Sequence, residues 1–351
     1  MAECKFLVIN KQDVAAVLTG WLFIAVILVL FPENCQAKIA DGLSCSDCHT
    51  MHNSQDGTSL TMGTAEQALL NNSCAGCHTG TNPPPPTIGD GPAPFVFDSS
   101  LPNYGVTGTT GDTLAGGNFY WVADTTDTDM DRKGHNVVGI TTDDALFGVG
   151  GTEPVPGTAT NLANQLTCAG ANGCHGNGAG TDIESLMPAH HSTDDATLGD
   201  SVANSFRFLS GIKGLEDADW EFTVSDSDHN QYQGSIGAAA GTITTFCSAC
   251  HGDFHATGTT PFLRHPTDVN MPNAGEYASY YSYRPIAPVA SATLPAAPYE
   301  EVRSFADSAI VTCISCHRAH GTPWDAIMRW DYKSWPGGGY NGCAECHSSK
   351  N

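Results

Sequence analysis

Hydrophobic positions in this chain gather in one long run near the N-terminus and in short clusters after it, with no solenoid period. The run extends from about Val14 to Phe31, behind Lys5 and Lys11, and ends at Cys35-Gln36-Ala37. This pattern predicts a secretory signal over residues 1–37, cleaved after Ala37. The length of the run leaves an uncleaved membrane anchor as the alternative. No later segment is apolar enough to span a bilayer. Pro83 to Pro86, followed by Pro92 and Pro94, predict a stiff extended stretch that excludes helix. Residues 95–160 are rich in Gly, Thr and Asp, with apolar clusters such as Phe119-Tyr120-Trp121-Val122, a pattern that predicts short strands and turns. Residues 275–300, rich in Pro, Ala and Tyr, read as a surface loop or extended wrap.

The cysteines change this picture. Five Cys-x-x-Cys-His motifs occur, at Cys45/Cys48-His49, Cys74/Cys77-His78, Cys247/Cys250-His251, Cys313/Cys316-His317 and Cys343/Cys346-His347. A sixth, stretched copy has five residues between Cys168 and Cys174-His175. This spacing reads as c-type haem attachment. Two thiols form thioethers to the haem vinyls, and the adjacent His is the proximal iron ligand. Twelve of the fourteen cysteines serve these motifs, and the other two, Cys4 and Cys35, lie in the export segment. The glycine-rich insert of the stretched copy is expected to loop out and still present both thiols. One thioether, or a disulfide without haem, is the alternative there. The expected cofactors are therefore six haem c groups.

Six haems within residues 38–351 leave only about 52 residues each, too few for a separate protein core around every cofactor. The fold class that follows is a multihaem cytochrome c, coil-rich, with short helices and few short strands, its core formed by stacked haems. Each motif is expected on a short helical turn. Residues 38–351 read as one domain: an N-terminal dihaem pair at 38–81, a Pro/Gly-rich segment at 82–160, and four further haem sites in 161–351. The formal charge is −23, and about −22 without the signal. Such a surface repels nucleic acid and anionic lipid and favours cationic partners or metal ions.

Fourteen histidines supply the ligands. Six are proximal. Eight remain as distal candidates: His52, His135, His190, His191, His229, His255, His265 and His320. His52, His255 and His320 follow a proximal His by three or four residues and so lie on its side of a helical turn. Each is expected to ligate a neighbouring haem. Of His190 and His191, backbone direction favours one ligand. Bis-histidine ligation closes both axial positions and, without Met, favours a low potential. Both features point to electron transfer rather than catalysis. Arg132, Lys133 and Arg318, beside candidate ligands, are read as partners for haem propionates. Met51 and Met187 read as packing residues. The acidic run Asp124, Asp127, Asp129 and Asp131 lacks the calcium-loop order and reads as a solvated loop.

Several stretches carry a resemblance: Cys48-His49-Thr50-Met51-His52-Asn53-Ser54, Arg132-Lys133-Gly134-His135-Asn136, Asn164-Gln165-Leu166, Leu263-Arg264-His265-Pro266 and Cys316-His317-Arg318-Ala319-His320. In these residues, and in the order of its motifs, the chain resembles the OmcS-type hexahaem outer-surface c-type cytochromes, the extracellular cytochrome nanowire family. The resemblance implies a continuous chain of bis-His haems, self-association into filaments, and ligation of the next protomer's haem by His52. It also implies a secreted or outer-surface location, donor cytochromes, and extracellular acceptors such as metal oxides. The stretched third motif, and the placing of His190, His191 and His229, depart from that pattern. A monomeric periplasmic or surface shuttle and a multihaem reductase of a small oxyanion are the competing readings. The reductase needs one open haem face.

Overall fold

The structure is a computed structural model that describes residues 44–50, 52, 54–55, 58–59, 69–82, 93–109, 112–187, 189–192, 196–237, 239–254, 265–294 and 309–349. The expected export segment and His255 lie outside the described residues, as does Met51. Residues Ala37–Asn351 group as one unit. Among the described residues no helix is long and apolar enough to cross a membrane.

Regular structure is sparse, because the sequence interrupts every apolar cluster with Gly, Pro or a motif. The α-helices among the described residues are single turns or little more: Cys45–Cys48 (α1), Cys74–Cys77 (α2), Tyr120–Ala123 (α3) and Ile243–Ser248 (α4). Side chains start three of them. Ser44 N donates to Asp47 Oδ2 at 2.7 Å before α1, Ser73 Oγ accepts from Gly76 N at 3.3 Å, and Thr242 Oγ1 accepts from Thr245 N at 3.2 Å. The strands pair only two by two. Ser54–Gln55 (β1) pairs with Thr58–Ser59 (β2), Thr167–Ala169 (β3) with Gly173–His175 (β4), Gly214–Leu215 (β5) with Gln231–Tyr232 (β6), and Val269–Asn270 (β7) with Ile310–Val311 (β8). Only β3 and β4 run parallel.

The buried apolar residues fall into three small clusters. One holds Phe206, Ile212, Tyr232, Ile243, Ala290 and Ile310. A second is built on Met271, Tyr280, Tyr283, Val289, Ala309 and Val311, and a third on Phe119, Val122 and Val137. The chain thus follows the coil-rich architecture its composition demands, with the protein core split around other space.

Two local expectations are corrected. Among the described residues of 95–160 there are helical turns and isolated bridges instead of strands. Asn118, wholly buried, accepts from Asp98 N and Tyr120 N through Oδ1, so the Phe119–Val122 cluster closes into α3 rather than extending. The Tyr-rich segment from 275 is no surface loop. Tyr280 and Tyr283 are buried, and Tyr280 donates its hydroxyl to Ala287 O at 2.5 Å, folding the wrap onto itself.

Candidate functional site

Each Cys-x-x-Cys-His motif closes through the same hydrogen bond. The amide of His49, His78, His251, His317 and His347 donates to the carbonyl of its motif's first cysteine at 2.8 to 3.1 Å. Motifs one and two sit on α1 and α2, and motif four on the end of α4. Motifs five and six sit on 3-10 turns, Cys313–Ser315 and Gly342–Glu345. That single turn brings both thiols to one side with the His beyond them.

The stretched motif departs from this and sits on β3 and β4 instead of a helical turn. Thr167 pairs with Gly173 and Ala169 with His175, so Cys168 and Cys174 hold equivalent places on adjacent strands. The insert loops out between them. Gly170 takes φ +85°, and Gly173 N donates to Gly170 O at 3.0 Å. A side chain at 170 would be strained by that φ and would stand 2.6 Å from Gly180 O. Both thiols are free, and no disulfide joins them.

The histidine rings meet in pairs. His49 faces His191 with ring centres 6.0 Å apart, His135 faces His251 at 6.2 Å, His175 faces His320 at 6.3 Å, and His265 faces His347 at 5.9 Å. Two metal–imidazole bonds of about 2 Å, each extended to its ring centre, separate two axial rings by roughly 6 Å. The rings are therefore spaced to hold one iron between them. His191 is thus the member of the His190-His191 dipeptide that faces a proximal ring, while the His190 ring lies 5.2 Å from Phe208, with His78 near enough for its charge to act on it. His320 lies opposite His175, the proximal His of another motif.

The opposite ring nitrogen is anchored. Nδ1 meets a backbone carbonyl in His78 (Pro94, 2.8 Å), His135 (Ala319, 2.7 Å), His175 (Arg207, 2.8 Å), His251 (Pro156, 2.6 Å), His265 (Pro266, 2.9 Å) and His317 (Ala326, 2.9 Å). An Nδ1–H held this way fixes the tautomer and leaves the Nε2 lone pair for a metal. Burial holds the imidazoles of His78, His135, His175 and His317 neutral by lowering their pKa. Burial, then the charges of neighbouring histidines, lowers His190 to about 4 and His320 to about 3. Neutral imidazole is the ligating form. His135, His175 and His320 nonetheless keep part of their surface accessible. The donor set and the ring spacing fit haem.

The cysteines supply the order. Cys48 acts electrostatically on Cys77, and Cys74 is hydrogen-bonded to Cys168. Cys250 acts on Cys174, Cys247 is hydrogen-bonded to Cys313, and Cys343 acts on Cys316. Each motif thus lies near the next, from the first to the sixth. The sequence alone did not reveal this order, because no residue pattern encodes which motif lies beside which.

The remaining candidates are placed as follows. His52 is exposed. His229 is buried, bonds through Nδ1 to Asn230 O at 2.7 Å, and stacks on Tyr283 at 3.4 Å. The propionate role read for Arg318 is overturned. Arg318 is 3% exposed and directs its donors to the carbonyls of Thr107, Gly108, Leu114 and Ala115 and to the Tyr104 hydroxyl. Lys133 is paired with Asp127, while Arg132 is exposed, 4.0 Å from Asp325. Met187 is 47% exposed, not a packing residue. Among the described residues no cluster of three His, Cys, Asp or Glu suits a bare metal ion. The run Asp124–Asp131 caps its own turns and pairs with neighbours.

The chain resembles C-type cytochrome OmcS of Geobacter sulfurreducens. The two are 26% identical over 356 residues, which span 82% of this chain and 78% of OmcS. Two solved structures, an outer membrane cytochrome S filament and OmcS nanowires of the same organism, also align. Their TM-scores are 0.43 and 0.45 and their identities 20% and 22%; each alignment covers 84% of the solved chain, and 84% and 83% of this one. No family model matches the sequence. Like OmcS, the chain reads as a c-type multihaem cytochrome.

Proposed function

We propose that this chain is a secreted hexahaem conduit for extracellular electron transfer, cleaved after Ala37 on export and assembling end to end. The observation that carries the reading is the motif-ordered proximity of cysteines from Cys48 to Cys343, with four facing histidine pairs alongside. Haem supplies reversible one-electron chemistry when bound at these cysteines. The protein's part is to close both axial faces, exclude water and keep successive sites close enough for rapid transfer.

The proposed ligand pairs are His49 with His191, His78 with His190, His175 with His320, His251 with His135, and His347 with His265. His317 then takes its second ligand from elsewhere. His52 of the next protomer suits it, since His52 is exposed and faces no proximal ring among the described residues of its own chain. The similarity to a C-type cytochrome supports electron transfer; the filament, donor cytochromes as the electron source and an extracellular acceptor such as a metal oxide belong to the same proposal. One observation favours a monomeric shuttle: buried His229 anchors its Nδ1 as the paired histidines do, and so offers an in-chain ligand for the fifth haem.

The test is His52→Ala in the secreted protein, followed by electron microscopy and haem analysis. Loss of filaments with six haems retained in discrete particles is the expected result. Intact filaments, or a haem lost from an isolated monomer, refute assembly through His52.

A further inference from the structure

We infer that two fixed charges, Asp182 and Arg329, grade the reduction potential along the haem chain, so that electrons run from the second and third sites towards the fifth. The inference rests on the conduit reading above. Asp182 stands where motifs two and three meet. Its Oδ1 accepts from Ala169 N at 2.8 Å, and its Oδ2 lies 3.6 Å from Cys74 Sγ. Its charge acts on Cys74, Cys168 and His175, reaching both motifs at once. A carboxylate there disfavours the added electron of a ferrous site and lowers the potential.

Motif five has the opposite neighbour. Arg329 is 1% exposed and is built into the motif's own turn. Its amide donates to Cys316 O at 2.8 Å and its Nε to Ile314 O at 2.7 Å. Its charge acts on Cys316 and His317. A guanidinium stays ionised when buried, so it favours the ferrous state and raises the potential. Arg318, 3% exposed, lies within reach of Arg329 and adds to the positive side. Two buried carboxylates offset part of this. Glu221 acts on Arg329, and Asp268 acts on Cys313. Asp268 lies on the far cysteine, whereas Arg329 lies beside the cysteine and histidine that hold the iron's proximal side.

The experiment is a spectroelectrochemical titration of the secreted protein, after intact mass has confirmed six haems. Arg329→Gln is expected to move the positive end of the titration down, by about tenfold in the ferrous-to-ferric ratio, which is about 59 mV for one electron. Arg329→Lys, which keeps the charge, is expected to leave that end in place. Asp182→Asn is expected to move the negative end up by a similar factor. Combining Arg329→Gln with Asp182→Asn narrows the whole span. An unmoved positive end in Arg329→Gln, an equal shift in Arg329→Lys, or an unmoved negative end in Asp182→Asn overturns the gradient. A variant that loses a haem shows a structural role and overturns it too. Wild-type protein with Cys313 and Cys316 unmodified instead sinks the conduit reading, and the mass shows this before any potential is taken.

Discussion

Arg318→Leu removes a buried cation that forms no ion pair with a carboxylate among the described residues. Its guanidinium spans one loop, accepting nothing and donating to Gly108 O at 2.8 Å, Leu114 O and Ala115 O at 2.9 Å, Thr107 O at 3.4 Å and Tyr104 Oη at 3.1 Å. Leucine fills much of the volume but leaves two close carbonyls, those of Gly108 and Ala115, without a donor, while Leu114 O keeps Gly117 N at 2.8 Å. At about 1–3 kcal/mol for each orphaned group, less partial relaxation, the loss is about 3 kcal/mol. Most single substitutions cost roughly 0.5–3 kcal/mol. The damage reaches a ligand, because Gly116 O, just beyond the loop, accepts from His320 N at 2.8 Å. A slack loop lets the His320 ring drift from His175. The assay is guanidinium denaturation of the haem-loaded protein, with limited proteolysis mapped over 104–115. A large drop in midpoint, new cleavage in that loop and a weakened low-spin signal from one haem are expected. Arg318→Lys restores less than half, since an ammonium cannot span the fork. A loss below about 1 kcal/mol with an unchanged cleavage pattern would refute the reasoning.

Two further outcomes are expected. Gly116→Ala places a methyl 2.7 Å from His320 Nδ1, so one haem of six turns partly high-spin in the optical or electron paramagnetic resonance spectrum; a wild-type spectrum contradicts the contact. Asp217 is held protonated near neutrality, its pKa raised to about 8 by burial, then by a hydrogen bond it donates to Asp219 and by the charges of Asp219 and Asp228. A raised carboxylate pKa gives stability that is complete below the unfolded value and is lost as pH rises through the folded one. Stability should therefore fall between about pH 4 and pH 8, by up to about 1.4 kcal/mol per pH unit, and Asp217→Asn should flatten that slope in denaturation midpoints.

The shared turn of the five regular motifs was legible because thioether chemistry asks for one spacing in sequence, and each closes on its first cysteine in the same way. Coil-rich architecture was legible too, since Gly, Pro and the motifs interrupt every apolar cluster. The pairing of rings was not. His135 meets His251, and His175 meets His320, through tertiary contacts that no local pattern records. Arg318 was misread for a related reason. A basic residue beside a ligand suggests an anionic partner, but the sequence does not show that loop carbonyls already enclose it. The Tyr-rich wrap was read as surface from its prolines, although Tyr280 and Tyr283 are core residues.

The cysteine path follows the sequence, yet the opposing rings do not. His49 and His78 await His191 and His190, His251 already has His135 before it, and His175 awaits His320. A chain emerging from its N-terminus therefore completes its ring pairs out of numerical order. The first two close together once residues 190 and 191 arrive, the fourth closes as soon as His251 appears, and the third stays one-sided until residue 320. Under the proposed ligation, a chain halted between residues 251 and 320 has the third site one-sided in the middle of an otherwise paired row, its open face free to take a small ligand.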